Sequence, residues 1–270
     1  MEFRKDSDNN RLTIQITIIR IERYGQWTLT LGSDREAELQ MLQARVYYDI
    51  QRLFSEKDCI VYSNRFDEYF VITNGLSVQD HIAIQKELAN LYKSLKLSMT
   101  IGNGITPFEA NMNAYNARKM GKLLDVDTRI FGQTISLTSN GRSSGEFAQI
   151  MHIDIDSSTK VSSILSPYEI TLLVMKIYSR LSEEFLKKGS LTFFLGGDNF
   201  MVISNSTTKE EAEKVIKAIA QEIDIKLNCG IGVGRTGRKA AEAATKALDI
   251  IRNLRDEGKI QPIYEIECLK

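Results

Sequence analysis

Two aspartates, Asp154 and Asp198, are the side chains whose types and spacing point most directly to chemistry. Asp154 closes the apolar run Gln149-Ile-Met-His-Ile-Asp154, and Asp198 follows 44 residues later within Gly196-Gly197-Asp198-Asn199. A strand ending in one carboxylate and a neighbouring hairpin carrying another bring two negative charges together. Such a pair repels unless something neutralises it. Mg²⁺ suits the task, because it takes one or two carboxylates and completes its shell with water and substrate phosphates. Gly196 and Gly197 leave no side chains beside Asp198, so backbone amides and a bulky phosphate can approach. Gly196, Gly197 and Asn199 are therefore read as ligand-binding positions. Asp156 shares the face of Asp154 if the strand continues, and is a further metal-ligand candidate. Taken singly, an Asp in such a hairpin is an ordinary turn residue and Asp154 an ordinary helix cap. The combination carries the reading.

The elements that must position these groups occur twice. Val71-Ile-Thr-Asn74 returns as Val202-Ile-Ser-Asn205, and Ile101-Gly-Asn-Gly104 as Ile231-Gly-Val-Gly234, at offsets of 131 and 130. Arg65-Phe66-Asp67 stands where Gly196-Gly197-Asp198 stands in the second half. Glu22, at an offset of 132, is matched to Asp154. Repetition in one order at nearly one offset signals two copies of one domain. The boundaries are placed at 1–140 and 147–270, around the polar linker 139–146. Glu22 and Asp67 are the first copy's metal candidates, with Arg65 as an alternative counter-charge to a metal.

Alternating β-branched residues predict a strand over 12–21, and apolar spacing predicts a helix over 34–54. Hairpin strands at 59–63 and 69–73 follow, then a helix at 78–95, a strand at 96–102 and a helix at 107–121, opened by Pro107. The second copy predicts a strand at 150–154, a helix at 166–188, hairpin strands at 191–195 and 200–204, a helix at 208–222, a strand at 225–231 and a helix at 237–255. Segments 133–138 and 260–267 are expected to add a closing strand to each copy. The order βαββαβ plus a helix implies an α+β fold: two tandem ferredoxin-like, palm-type domains, each a mostly antiparallel sheet with helices on one face.

Composition narrows the classes. Lys plus Arg equals Asp plus Glu, 35 each, so no basic field argues for nucleic acid. No apolar run reaches the length of a membrane span, and the charged start lacks a secretory core. A cytoplasmic protein is expected. Three scattered cysteines and two histidines encode neither a disulfide framework nor a local zinc site. Cys59 and Cys229 read as small buried hydrophobes.

Three weaker signals remain. Gly230-Ile-Gly-Val-Gly-Arg-Thr-Gly237 follows a strand and precedes a helix; it is either a turn or a phosphate contact through backbone amides and Arg235. Tyr24-Gly-Gln-Trp27 either stacks a base or packs. His152 reads as a packed, satisfied histidine.

Taken together, Tyr24-Gly-Gln-Trp27, Arg65-Phe-Asp67, Thr73-Asn-Gly75, His152-Ile-Asp-Ile-Asp156, Phe194-Leu-Gly-Gly-Asp-Asn-Phe-Met201 and Gly230-Ile-Gly-Val-Gly-Arg-Thr236 resemble the archaeal GTP cyclohydrolase III family over about residues 12–265. The resemblance implies hydrolysis of GTP to 2-amino-5-formylamino-6-(5-phosphoribosylamino)pyrimidin-4(3H)-one with release of two phosphates. It also implies Mg²⁺, a monovalent activator such as K⁺, and a place in flavin and deazaflavin synthesis. Position by position it makes Asp154 and Asp198 the metal-carrying pair, with the Ile155 carbonyl as a further ligand. Two other readings stay open. One is a palm-type nucleotide cyclase; the other is a degenerate, non-catalytic nucleotide sensor, which the first copy's Glu22 and Glu68 would suit. Because duplicated palm halves often pair face to face, a homo-oligomer is expected.

Overall fold

Strong alternation and well-placed caps give this chain its elements, and the second half repeats the first. The computed structural model describes residues 13–132, 147–156, 163–205 and 207–268. The first half runs β1 (Ile14–Ile21), α1 (Tyr24–Thr28), α2 (Arg35–Ser55), β2 (Ile60–Arg65), β3 (Glu68–Ile72), α3 (Val78–Leu91), β4 (Leu97–Gly104), α4 (Pro107–Lys119), β5 (Leu123–Asp125) and β6 (Ile130–Gly132). The second runs β7 (Ala148–Ile155), α5 (Pro167–Leu186), β8 (Leu191–Gly196), β9 (Asn199–Ile203), α6 (Lys209–Ile223), β10 (Leu227–Gly234), α7 (Gly237–Asp256) and β11 (Ile263–Cys268). Helix starts follow local chemistry. Ser77 with Asp80, Ser166 with Glu169 and Thr208 with Glu211 form reciprocal capping boxes, and Thr106 and Thr236 cap α4 and α7.

The two sheets share one strand order, β2-β3-β1-β4-β6-β5 and β8-β9-β7-β10-β11. All pairings are antiparallel except β4 with β6 and β10 with β11. The expected closing strand at 260–267 is β11. In the first half β6 takes that place, preceded by the short edge strand β5, while 133–138 lies outside the described residues.

Helices cover both faces of each sheet, which corrects the one-face expectation. One face of the first sheet buries Ile19, Val71 and Met99 against Val46 and Ile50 of α2 and Ile84 and Leu88 of α3. The second sheet does the same with α5 and α6. The opposite faces carry α4 and α7, and they meet in a shared core containing Ile16, Tyr62, Ala114, Ile150, Phe193 and Ala244. Phe193 stacks on Tyr62 at 5.0 Å and tilts against Phe70 at 5.5 Å, so aromatic contacts join the halves. The two halves thus pair face to face within the chain.

A pseudo-dyad relates these contacts. The Phe108 amide donates to the Gly189 carbonyl at 2.9 Å, and the Arg238 amide to the Asp58 carbonyl at 3.2 Å. Phe108 and Arg238 occupy the same place at the starts of α4 and α7, and Asp58 and Gly189 both have left-handed backbone, φ 57° and 74°.

Backbone pairing sets the true correspondence of the first strands. Gln15 and Gln149 each receive a backbone bond from Thr73 or Ser204, and each donates its own amide to the side chain of Asn74 or Asn205. Their offset is 134. By the same register Arg20 pairs with Glu68 and Ser98, as Asp154 pairs with Asn199 and Asn228. Arg20, not Glu22, therefore stands where Asp154 stands. Glu22 corresponds to Asp156: the two amides donate to the Lys96 and Lys226 carbonyls at 2.7 and 2.8 Å.

Candidate active site

Asp154 is fixed by three strands and a helix. It lies near the end of β7, opposite Asn199 of β9 and Asn228 of β10, and is only 5% exposed. Oδ2 accepts from Arg252 Nη2 of α7 at 2.7 Å, and Arg252 is itself held by Asp249 at 3.1 Å. Oδ1 is buried and has no hydrogen-bond partner. Burial pushes the Asp154 carboxyl above the usual range, with the Asp198 charge adding to it; Arg252 and a side-chain hydrogen bond from Asn228 pull the other way.

Asp198 sits at the tip of the β8–β9 hairpin, directly before Asn199, the register partner of Asp154. Gly196 and Gly197 have φ of +107° and +61°, values that side-chain-bearing residues rarely adopt. A Cβ on Gly196 would meet nothing within 4 Å. The backbone turn is therefore glycine-specific and its outer side open. Asn199 Nδ2 donates to Asp198 Oδ1 at 2.9 Å. Its Oδ1 meets His152 Nε2 at 2.9 Å, and His152 Nδ1 meets Thr245 Oγ1 of α7 at 3.2 Å.

The remaining predicted positions divide. Ile155 lies buried on β7 with its side chain in the second core. Asp156 follows, with its carboxylate on Arg255 Nη1 at 2.6 Å. Arg252 and Arg255, one turn apart on α7, escaped the sequence reading; their spacing on a predicted helix was visible, but not which strand end that helix crosses. Arg235 is not brought to the aspartates. β10 passes β7 with Gly234 opposite Ala148 and Asn228 opposite Asp154, so Arg235 lies at the far end of the strand, about 20 Å away. There its guanidinium covers the Phe147 ring at 5.8 Å.

The Gly230–Gly237 stretch is strand and helix start rather than a phosphate loop. A Cβ on Gly230, Gly232 or Gly234 would fall 2.1–2.6 Å from α7 backbone atoms. These glycines let α7 press onto the sheet and so bring Arg252 over Asp154. Tyr24 and Trp27 belong to α1 and pack against the first core, with rings 6.2 Å apart.

The first half holds a different arrangement at the same place. Arg20 binds Glu68, and Nε donates to Oε2 at 2.8 Å. Glu68 also accepts from Asn64 at 3.0 Å. Glu22 accepts from Ser98 and Arg118, both at 2.5 Å, with Arg129 at 4.0 Å. Burial alone would raise the Glu22 carboxyl; those bonds and charges outweigh it and hold it below its usual value. Asp67 is paired with Arg65 at 3.5 Å. Arginines thus neutralise every acid here. A groove of about 580 Å³ between the halves is lined in part by Cys59, Ile60, Met201, Arg238 and Thr245, and neither aspartate lines it.

Comparison with known proteins joins this geometry to a family. The GTP cyclohydrolase III family profile matches residues 16–263. The chain belongs to the GTP cyclohydrolase III family. Relatives bearing that name include the Methanobrevibacter smithii protein, 38% identical over 256 residues, which cover 94% of this chain and 99% of that protein. The Methanocaldococcus jannaschii protein is 37% identical over 88% of both chains. That of Methanothermobacter thermautotrophicus is 36% identical over 88% of this chain and 94% of its own. Among solved structures, the GGDEF domain of DgcB from Caulobacter crescentus gives a TM-score of 0.36 at 11% identity, covering 44% of this chain and 77% of that domain. The two sheets, alike in strand order, are the duplicated α+β arrangement read from the sequence.

Magnesium fits the second half's donors. Among the described residues no three His, Cys, Asp or Glu side chains gather into a full cage, but Mg²⁺ needs only one or two carboxylates beside phosphates and water. The buried, unpartnered Oδ1 of Asp154 is the kind of atom a cation would satisfy. The first half offers arginines where such an ion would sit.

Proposed function

We propose that this chain hydrolyses GTP as a GTP cyclohydrolase III, opening the imidazole ring to give 2-amino-5-formylamino-6-(5-phosphoribosylamino)pyrimidin-4(3H)-one and releasing two phosphates. Family membership gives the reaction class. The observation that carries the assignment to a site is the Asp154–Asp198 pair beside an open, glycine-flanked turn, present in the second half alone.

In this reading Asp154 and Asp198 hold Mg²⁺, with the Ile155 carbonyl beside them. When bound, the metal would neutralise triphosphate charge and lower the pKa of a water it carries. Gly196 and Gly197 leave room for the phosphates. Arg252 balances the Asp154 charge when no metal is present, and Asn199 orients Asp198. Arg255 holds Asp156 out of the donor set. Glu22 and Asp67 serve as structural ion pairs. K⁺ enters as an activator without assigned ligands. A cytoplasmic location, a role in flavin and deazaflavin synthesis and a homo-oligomer built on surfaces outside the shared core belong to the same proposal. So does the lack of a nucleic-acid partner, for which the balanced charge speaks. No described helix is long and apolar enough to cross a membrane.

The test is incubation of the purified protein with GTP, Mg²⁺ and K⁺, followed by mass analysis. Gain of water with loss of two phosphates supports the proposal. Loss of pyrophosphate alone would identify a cyclase, and tight GTP binding without turnover a sensor.

A further inference from the structure

We propose that His152 is a positioning residue that sets Asp198 for metal binding, through Asn199. The inference rests on reading Asp198 as a metal-holding carboxylate.

The argument begins with hydrogen-bond direction. A carboxylate can only accept, so the Asn199 group facing Asp198 Oδ1 is its NH₂. The Asn199 carbonyl oxygen then faces His152 Nε2 at 2.9 Å, and Nε2 must carry the proton. In the neutral ring Nδ1 is left as an acceptor, and it meets the Thr245 hydroxyl at 3.2 Å. Every link from Thr245 to Asp198 therefore has one donor and one acceptor. The relay fixes the ring tautomer, the ring's rotation and the amide's orientation together.

Asp198 needs such a hold. Its turn is made of glycines, and open space lies beside Gly196. Among the described residues, Asn199 is the one side chain that donates to it. Asn199 in turn would be free to reverse its amide, turning a carbonyl oxygen toward the carboxylate, unless His152 holds the other end.

The first half supplies an internal control. At the register positions of His152, Asn199 and Thr245 it has Ile18, Glu68 and Tyr115. Every member of the relay is replaced in the half where Arg20 replaces Asp154. A merely structural histidine would have no reason to accompany the aspartate pair so closely.

The full-length chain tests this with His152→Leu, His152→Gln, Asn199→Ala and the Leu/Ala double variant, with Asp198→Asn as reference. Readouts are GTP turnover, Mn²⁺ affinity by electron paramagnetic resonance with a non-hydrolysable GTP analogue present, and thermal midpoint. His152→Leu is expected to lower kcat about 10- to 100-fold and to weaken Mn²⁺ binding. His152→Gln, whose amide nitrogen can still donate to Asn199, should return most of both. The double variant should lose no more than the worse single. Wild-type behaviour of His152→Leu would overturn the proposal. So would additive losses, or equal thermal destabilisation by Leu and Gln with Mn²⁺ affinity unmoved. If the Leu variant does not fold, Thr245→Val removes the outer link and should lower turnover several-fold; no effect overturns the proposal equally. Normal turnover and Mn²⁺ binding in Asp198→Asn would sink the parent reading as well, whereas loss there with a wild-type-like His152→Leu sinks the relay alone.

Discussion

Arg20 occupies in the first sheet the place that Asp154 occupies in the second. Each is flanked by the same two neighbouring strands, and each meets the residue that follows the hairpin acid: Glu68 for Arg20, Asn199 for Asp154. A positive charge thus stands at one copy of the site and a negative charge at the other. In the first copy that arginine sits on the strand itself and binds Glu68, whereas in the second the strand carries the acid and the arginine, Arg252, comes from α7.

Replacing Asp154 or Asp198 with Asn should lower Mg²⁺-dependent GTP turnover by orders of magnitude while leaving circular dichroism unchanged, since either amide keeps one oxygen acceptor. Glu22→Gln should act chiefly on stability, costing about 1.5–3 kcal/mol for the charged bonds to Ser98 and Arg118. Wild-type rates in both aspartate variants, or loss of turnover in a fully stable Glu22→Gln, would reverse this assignment of the halves.

Arg252→Met should destabilise the metal-free protein. It strips Oδ2 of its charged donor and leaves a buried carboxylate without its counter-charge, at a cost of about 1–3 kcal/mol. The raised Asp154 carboxyl should move further up. Denaturant midpoints give the first, and carboxyl chemical shifts followed through a pH titration give the second.

Gly232→Ala should be among the most damaging single-methyl changes in the chain. The added Cβ would lie 2.1 Å from the Ala240 carbonyl oxygen and 2.2 Å from the Ala244 nitrogen, so α7 must lift from the sheet. Overpacking of this kind costs about 1–3 kcal/mol or more, and it shifts Arg252 off Asp154. Gly25→Ala is the contrast: nothing lies within 4 Å, the residue is in helix α1, and a gain of about 0.5–1 kcal/mol is expected. Thermal melts of the two variants decide it.

His81 links acid stability to the first core. Its Nδ1 donates to the Ser77 carbonyl at 2.7 Å, and Nε2 accepts from Thr17 at 2.7 Å. Burial pushes the ring down from 6.5 to about 4, against the pull of Ser77 and Asp80. Between those values the unfolded chain binds a proton that the folded chain refuses. Stability therefore falls as pH drops from 6.5 toward 4, by about 3 kcal/mol in all. His81→Gln should flatten that part of the pH profile of the urea midpoint; an unchanged slope would assign it to other groups.

Residue types alone determined the duplication, the strand and helix order, and the neighbourhood of the strand end carrying Asp154 and the hairpin carrying Asp198. Alternation of β-branched residues, cap residues before helices and glycines beside an acid are local signals, and each carries its physics in adjacent positions. The correspondence of Glu22 with Asp154 went astray because a strand's side chains repeat every two residues. Offsets of 132 and 134 put the same residues inside, and only the cross-strand bonds of Gln15 and Gln149 separate them. The use of Gly230, Gly232 and Gly234 was likewise invisible: a glycine that admits a phosphate and one that admits a helix are the same residue until α7 is seen lying on them. Arg252, Arg255 and Thr245 reached the site from about a hundred residues away, because the packing of α7 over β7 and β10 decides which helix face meets the acids.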